Sequence, residues 1–221
     1  MVDTNAQIDA VSRRVRTATQ DGEPTRVQTL AQTYQSPVDD VWEAVTSPDR
    51  IARWFLPVTG DLRLGGRYQL AGNAGGEILE CVPPSGSTAH YAVTWEYGGG
   101  VTWLTIRLTG DRGGTRLELE HTGRVADVPA EFFEQFGSGA TGVGWDQGLL
   151  GLALHLSGEA GIPPEDAEAW MIGEEGVRFA RRAADAWGAA DVADGADPAA
   201  ATRAAAATFA FYTGQTPPEV P

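Results

Sequence analysis

Between Gly142 and Ser157 the chain reads GVGWDQGLLGLALHLS, and this stretch limits the fold more than any other. Val143, Trp145, Leu149, Leu152 and Leu156 recur at helical spacing, with Leu150, Ala153 and Leu154 on the flanks, so a helix here is apolar round most of its circumference. Such a helix has to be enclosed by the rest of the chain. Gly142, Gly144, Gly148 and Gly151 each cost about 0.8–1 kcal/mol relative to alanine in a helix interior. Their presence implies that another backbone or a ligand comes close. The helix is then either a packing element or the wall of a cavity.

The other elements must supply that enclosure, and 221 residues at 42% hydrophobic and 21% charged are enough for one well-buried core. Sixteen Lys and Arg against thirty Asp and Glu leave a net charge of −14. This acidic field repels phosphate backbones and anionic lipid headgroups, which excludes nucleic acid and bare membrane as partners. Cys81 is alone, so neither an internal disulfide nor a cysteine metal cluster is available. The opening residues lack a basic region followed by an apolar core, and no uncharged apolar run approaches the ~20 residues that span a bilayer. A soluble, cytoplasmic protein is expected.

Residues Met1 to Pro24 are polar, and the spacing of Ile8, Val11 and Val15 predicts a short amphipathic helix in an N-terminal arm. Thr25 to Ser36 reads as a first strand. Ser36-Pro37 then opens a helix carrying Val38, Val41, Trp42 and Val45, with Ser36 as its cap. Ser47-Pro48 restarts a second through Ile51, Trp54 and Phe55. Five extended runs follow, 61–70, 76–82, 88–97, 101–109 and 115–122, separated by turn clusters such as GNAGG, PPSGS and GDRGG. With the first strand they predict an antiparallel sheet of about six strands. Alternation puts Tyr68, Leu70, Tyr91, Val93, Trp95, Leu104, Ile106, Leu117, Leu119 and His121 on one apolar face, and Arg67, Glu96, Arg107, Glu118 and Glu120 on the other. Trp103 falls on the charged face, so something is expected to cover it. After Gly158 the composition turns to alanine and acid, and 165–171, 174–194 and 198–213 read as helices, the last capped by Asp197. Trp170, Phe179, Trp187, Phe209, Phe211 and Tyr212 would anchor this extension, 159–221, on the outer sheet near Trp103, with 214–221 frayed.

The order strand, two short helices, five strands, long apolar helix resembles the SRPBCC, or START-like, superfamily, and within it the bacterial branch named after the activator of heat shock protein 90 ATPase. The residues that carry the resemblance are Ser36-Pro37 with Val41-Trp42, Ala44 and Thr46; Ser47-Pro48 leading to Trp54; and Gly60-Asp61-Leu62-Arg63 with Gly65-Gly66 and Tyr68. Gly76, Glu80, Pro83-Pro84, Thr94-Trp95, Gly114-Thr115, Leu117, His121, Gly123 and Gly144-Trp145 with Leu149 and Leu152 continue it. They span residues 25 to about 158; the arm, 1–24, and the extension inherit nothing. The resemblance implies an α+β helix-grip fold of the Bet v 1 kind, a strongly curved antiparallel sheet wrapped round the long helix. It also implies a hydrophobic pocket between the two for a small apolar molecule.

Candidate pocket residues are Trp54 near the mouth, Tyr68, Tyr91 and Trp95 on the sheet, His121 on the last strand, Phe136 before the helix, and Trp145, Leu149 and Leu152 on it. The plain alternative is that these side chains fill the core. His121 is the one inward histidine, and would act as general base in a cyclase or dehydratase if Glu77 or Glu80 oriented it. Alternation leaves the choice of acid open. Scattered His90, His121 and His155 with one cysteine form no metal motif, and the glycine clusters lack the lysine and helix of a phosphate loop. No cofactor is implied. A chaperone and a second copy of the chain, as a homodimer, are the remaining candidate partners.

Overall fold

The computed structural model describes residues 4–163 and 166–215. The expected fraying at 216–221 and the predicted helical start at Glu165 lie outside them. One eight-stranded antiparallel sheet is built from β1 (Ser12–Gln20), β2 (Glu23–Tyr34), β3 (Val58–Gly60), β4 (Arg67–Leu70), β5 (Gly75–Ser85), β6 (Thr88–Tyr97), β7 (Gly100–Asp111) and β8 (Gly114–Arg124), in the order β1-β2-β8-β7-β6-β5-β4-β3. The helices are α1 (Thr4–Ala10), α2 (Val38–Thr46), α3 (Pro48–Ile51), α4 (Ala130–Phe136), α5 (Gly139–Ser157), α6 (Ala167–Ile172), α7 (Glu174–Ala193) and α8 (Pro198–Thr213).

The sheet bends round α5 with the predicted face inward: Leu104, Ile106, Leu117 and Leu119 join Val143, Leu149 and Leu152 in one core. This is the helix-grip arrangement, with two more strands than expected. The run 61–70 is shortened to its end, which pairs as β4, and β3 precedes it as an additional strand. The arm is corrected more substantially. Its helix ends at Ala10, and residues 12–20 form the edge strand β1, paired with β2 through a turn at Asp21 (φ 53°) and Gly22 (φ 83°). Two central residues with positive φ give the twist that a two-residue hairpin requires.

Ser36 does not cap a backbone N–H of α2; its hydroxyl donates to the Asp40 carboxylate. Asp197 caps α8 as expected, its Oδ1 accepting from Ala200 N at 2.8 Å. The helices after Gly158 do not reach Trp103, whose ring lies 4.8 Å from the Arg124 guanidinium. They lie on the side of α5 turned away from the cavity, where α7 packs against α5 and β1 and α8 packs against α7 and α4. The reason is steric: Gly142 has no side chain, and a Cβ there would stand 2.2 Å from the Trp187 ring. That absence admits the tryptophan, which is wholly buried.

Candidate ligand-binding site

A cavity of about 150 Å³ lies between the inner sheet face and α5. The sheet contributes Tyr68, Tyr91 and Trp95, with Ile106 and Leu119 below them. Helix α5 contributes Trp145, Gly148, Leu149 and Leu152. Ile51, Trp54, Phe55, Val58 and Leu62 close the end beside α3 and are only half-buried, so the cavity meets the surface there. The size matches the ~150 Å³ of a dry apolar cavity that accepts benzene, and falls below the roughly 300 Å³ of a drug-sized site.

Alternation failed on β5 because the pairing slips between Ile78 and Glu80. That bulge turns both Ile78 and Cys81 toward the cavity and leaves Leu79 and Val82 exposed. Glu80 consequently stands outside, 3.3 Å from His90, and Glu77 is exposed too. Neither acid orients His121.

Of the nine predicted pocket residues, Trp54, Tyr68, Tyr91, Trp95, Trp145, Leu149 and Leu152 line the cavity, whereas His121 and Phe136 do not. Phe136 sits on α4 against Phe132 and Phe211, with ring centroids 5.0 and 5.7 Å apart for α4's own pair and for Phe136 with Phe211. His121 lies behind Trp145. The Trp145 indole N–H donates to His121 Nδ1 at 3.1 Å, so the ring proton resides on Nε2 and is donated to Thr102 Oγ1 at 2.8 Å. The Thr102 hydroxyl in turn donates to the Trp95 carbonyl at 3.3 Å. Burial lowers the His121 pKa to about 4. A neutral ring with its one lone pair already engaged has nothing with which to take a substrate proton. It locks the rotamer of Trp145 and borders a separate cavity of about 130 Å³, lined by Arg26, Gln28 and Thr141 together with Val125, Phe132 and Phe133.

Sequence reasoning missed the polar groups that fix the far side of α5. Asp146, 1% exposed, receives Arg13 Nε at 3.1 Å on both oxygens, Arg13 Nη2 at 2.6 Å on Oδ1, and the Trp187 indole N–H at 2.9 Å on Oδ2. Burial pushes its carboxyl above the usual range while Arg13 and Trp187 pull it back. Arg13 also donates to the carbonyls of Ile8 and Val11. At the start of α5, Asp191 from α7 accepts from Ser138 N at 3.0 Å and from Ser138 Oγ at 2.5 Å. The central helix thus takes its N-terminal carboxylate from the extension. One signal was available: Asp146 is the only acid or base, histidine aside, between Gly142 and Ser157.

Among the described residues no group of three or more His, Cys, Asp or Glu is placed to hold a metal ion, and no helix is long and apolar enough to cross a membrane. The crystal structure of CalU16 from Micromonospora echinospora is 34% identical to this chain, covering 82% of it and 98% of CalU16, with a TM-score of 0.65. The solution structure of CalU16 gives 33% identity, 84% and 97% coverage and a TM-score of 0.67. An HSP90 activator from Plasmodium falciparum is also similar, at 20% identity, 47% and 74% coverage and a TM-score of 0.38, too remote to support any inference. None of the curated proteins matches the sequence. The likeness to CalU16 spans more of the chain than residues 35–156, so it takes in part of what lies outside the grip. Residues 35–156 match the family model described as "Activator of Hsp90 ATPase homolog 1-like protein". That match runs from just before α2 almost to the end of α5 and makes up more than half of the chain, which therefore belongs to this family.

Proposed function

We propose that the protein binds a small hydrophobic molecule in the cavity between its sheet and α5. The observation that supports this reading is the cavity itself: a space of about 150 Å³ walled by aromatic and aliphatic side chains, reaching the surface beside α3. Well-packed interiors leave few voids larger than a water molecule. A void of this size forfeits dispersion contacts that an apolar occupant would restore. In this reading residues 25–158 form the binding domain, and the helices after Gly158 brace α5 from behind without touching the ligand. Catalysis through His121 has no support, since its lone pair is engaged by Trp145. Stimulation of a chaperone ATPase stays with the name-giving relatives, because a buried apolar cavity bears on a small molecule and not on a partner protein.

Gly148 provides the test. A Cβ there would meet only Phe55, at an ordinary 3.8 Å, so a larger side chain can grow into the cavity. Ligand-observed NMR with small aromatic probes should report binding to the wild type and its loss in Gly148→Leu, with the circular dichroism spectrum unchanged. Equal binding by both proteins would place the probes elsewhere and refute the reading.

A further inference from the structure

Four tyrosines are partly or wholly buried, and three have their hydroxyls committed. Tyr34 donates to Gln32 Oε1 at 3.2 Å, Tyr68 to the Thr94 carbonyl at 2.8 Å, and Tyr212 to the Ala140 carbonyl at 2.9 Å. Tyr91 is the exception. Its side chain lines the cavity and packs edge-on against Trp42, yet its hydroxyl has no hydrogen-bond partner among the described residues. Tyr91 is only half-buried and its hydroxyl opens on the cavity, so an occupant that displaces water from it loses a hydrogen bond unless it offers an acceptor in return. Burial also raises its pKa, so the group keeps its proton throughout the accessible pH range.

We propose that the occupant of the cavity carries a hydrogen-bond acceptor, a carbonyl or ether oxygen, that receives the Tyr91 hydroxyl. The ligand class is then a small uncharged aromatic or alicyclic ketone, ester or ether. This rests on the cavity being a binding site, and it adds polarity and orientation to that reading.

Three observations fix the class. The Trp95 indole N–H is likewise a donor with no partner among the described residues, and the Cys81 thiol is a weak one, so the wall offers donors and asks for acceptors. The remaining donors are spent: Trp54 Nε1 on the Ala44 carbonyl at 2.9 Å, Trp145 Nε1 on His121, and the Thr46 hydroxyl on the Trp42 carbonyl at 2.7 Å. No Lys, Arg or His lines the cavity, so a carboxylate would enter without a counter-ion and lose its hydration uncompensated. A ligand of this class would lie with its oxygen toward Tyr91 and its hydrocarbon body toward Leu149 and Leu152.

Tyr91→Phe tests this with the shape of the wall preserved. Dissociation constants are measured by NMR for acetophenone, for its near-isostere isopropylbenzene, and for benzoate. In the wild type acetophenone should bind and benzoate should not. Tyr91→Phe should weaken acetophenone by about 2- to 10-fold, the value of one neutral hydrogen bond, and leave isopropylbenzene unchanged. A merely structural role would move both probes together. As an independent check, Tyr91→Phe should leave the melting temperature unchanged or raised, whereas Tyr68→Phe, which strips a donor from the Thr94 carbonyl, should lower it. If both hydrocarbon and ketone bind but Tyr91→Phe affects them equally, the anchor is wrong and the cavity stands. If neither binds, both proposals fall, and a preference for benzoate would overturn the uncharged class.

Discussion

Helix α5 meets a different kind of neighbour on each side. Toward β1, α7 and α8 it is closed by complementary shapes and charges: Gly142 against the Trp187 ring, Gly144 against the Tyr212 hydroxyl, Asp146 against Arg13 and Trp187. Toward the sheet, Gly148, Leu149 and Leu152 face a space that no side chain fills. A single helix therefore has a side whose position is dictated by polar geometry and a side whose packing is left incomplete. The first makes the second tolerable, because a cavity wall held from behind does not collapse into the hole it borders.

That division predicts where damage is greatest. Asp146→Ala strands the Arg13 guanidinium, itself 6% exposed, and removes the acceptor of the Trp187 N–H. Breaking a buried pair by deleting one partner costs about 3–5 kcal/mol, which urea unfolding will register as a large fall in midpoint. A loss under about 1 kcal/mol would mean that water reaches this cluster, and the contrast between the two sides would disappear.

The seam between the sides is Trp145, which lines the cavity and donates its N–H to His121. His121 has a folded pKa of about 4 against roughly 6.5 in an unfolded chain. Between those values the unfolded state binds the proton and the folded state refuses it. The stability this confers is complete above about pH 6.5 and is lost as pH falls toward 4, by roughly 3 kcal/mol over the window. His155, also lowered by burial and accepting from Arg50 Nε at 3.1 Å, and the carboxylates titrate as well. The informative quantity is thus the difference between wild type and His121→Gln, measured as urea midpoints from pH 7.5 to 4. That difference should shrink with acid; a constant offset would show His121 to be hydrated.

The cavity side was legible in the sequence and the braced side was not, for a physical reason. Alternation along β6, β7 and β8 put Tyr91 and Trp95 on the apolar sheet face, and helical spacing put Leu149 and Leu152 on a buried helix; that the two enclose one pocket was what the family resemblance implied. The brace depends on groups whose partners are remote in sequence, Arg13 with Asp146 and Ser138 with Asp191, and no local pattern encodes such pairs. Strand β1 was hidden because its inward residues include the charged Arg13 beside Val15, which breaks the apolar alternation, while Ile8, Val11 and Val15 happen to fall at helical spacing. The readable clue was Asp21-Gly22, a hairpin dipeptide. His121 was assigned to the correct face, but a face does not reveal that Trp145 stands between a side chain and the cavity.

The glycines of α5 give the finest comparison, since one substitution can be made on both sides of one helix. Alanine at Gly142 would put its Cβ 2.2 Å from the Trp187 ring, and at Gly151 2.3 Å from the Trp54 carbonyl oxygen. Each should cost about 1–3 kcal/mol through overpacking, more than the helical preference returns. At Gly144 the nearest atom is the Tyr212 hydroxyl at 3.2 Å, which needs only a small shift, so the effect there should be close to zero. At Gly148 the Cβ meets Phe55 at 3.8 Å without conflict. Gly148→Ala should then stabilise the fold by up to about 0.8–1 kcal/mol, the helix-propensity gain, seen as a raised thermal midpoint. If Gly148→Ala instead destabilised the protein as Gly142→Ala does, the space beside it would have to be occupied in solution by side chains, and the open side of α5 would be as full as the braced one.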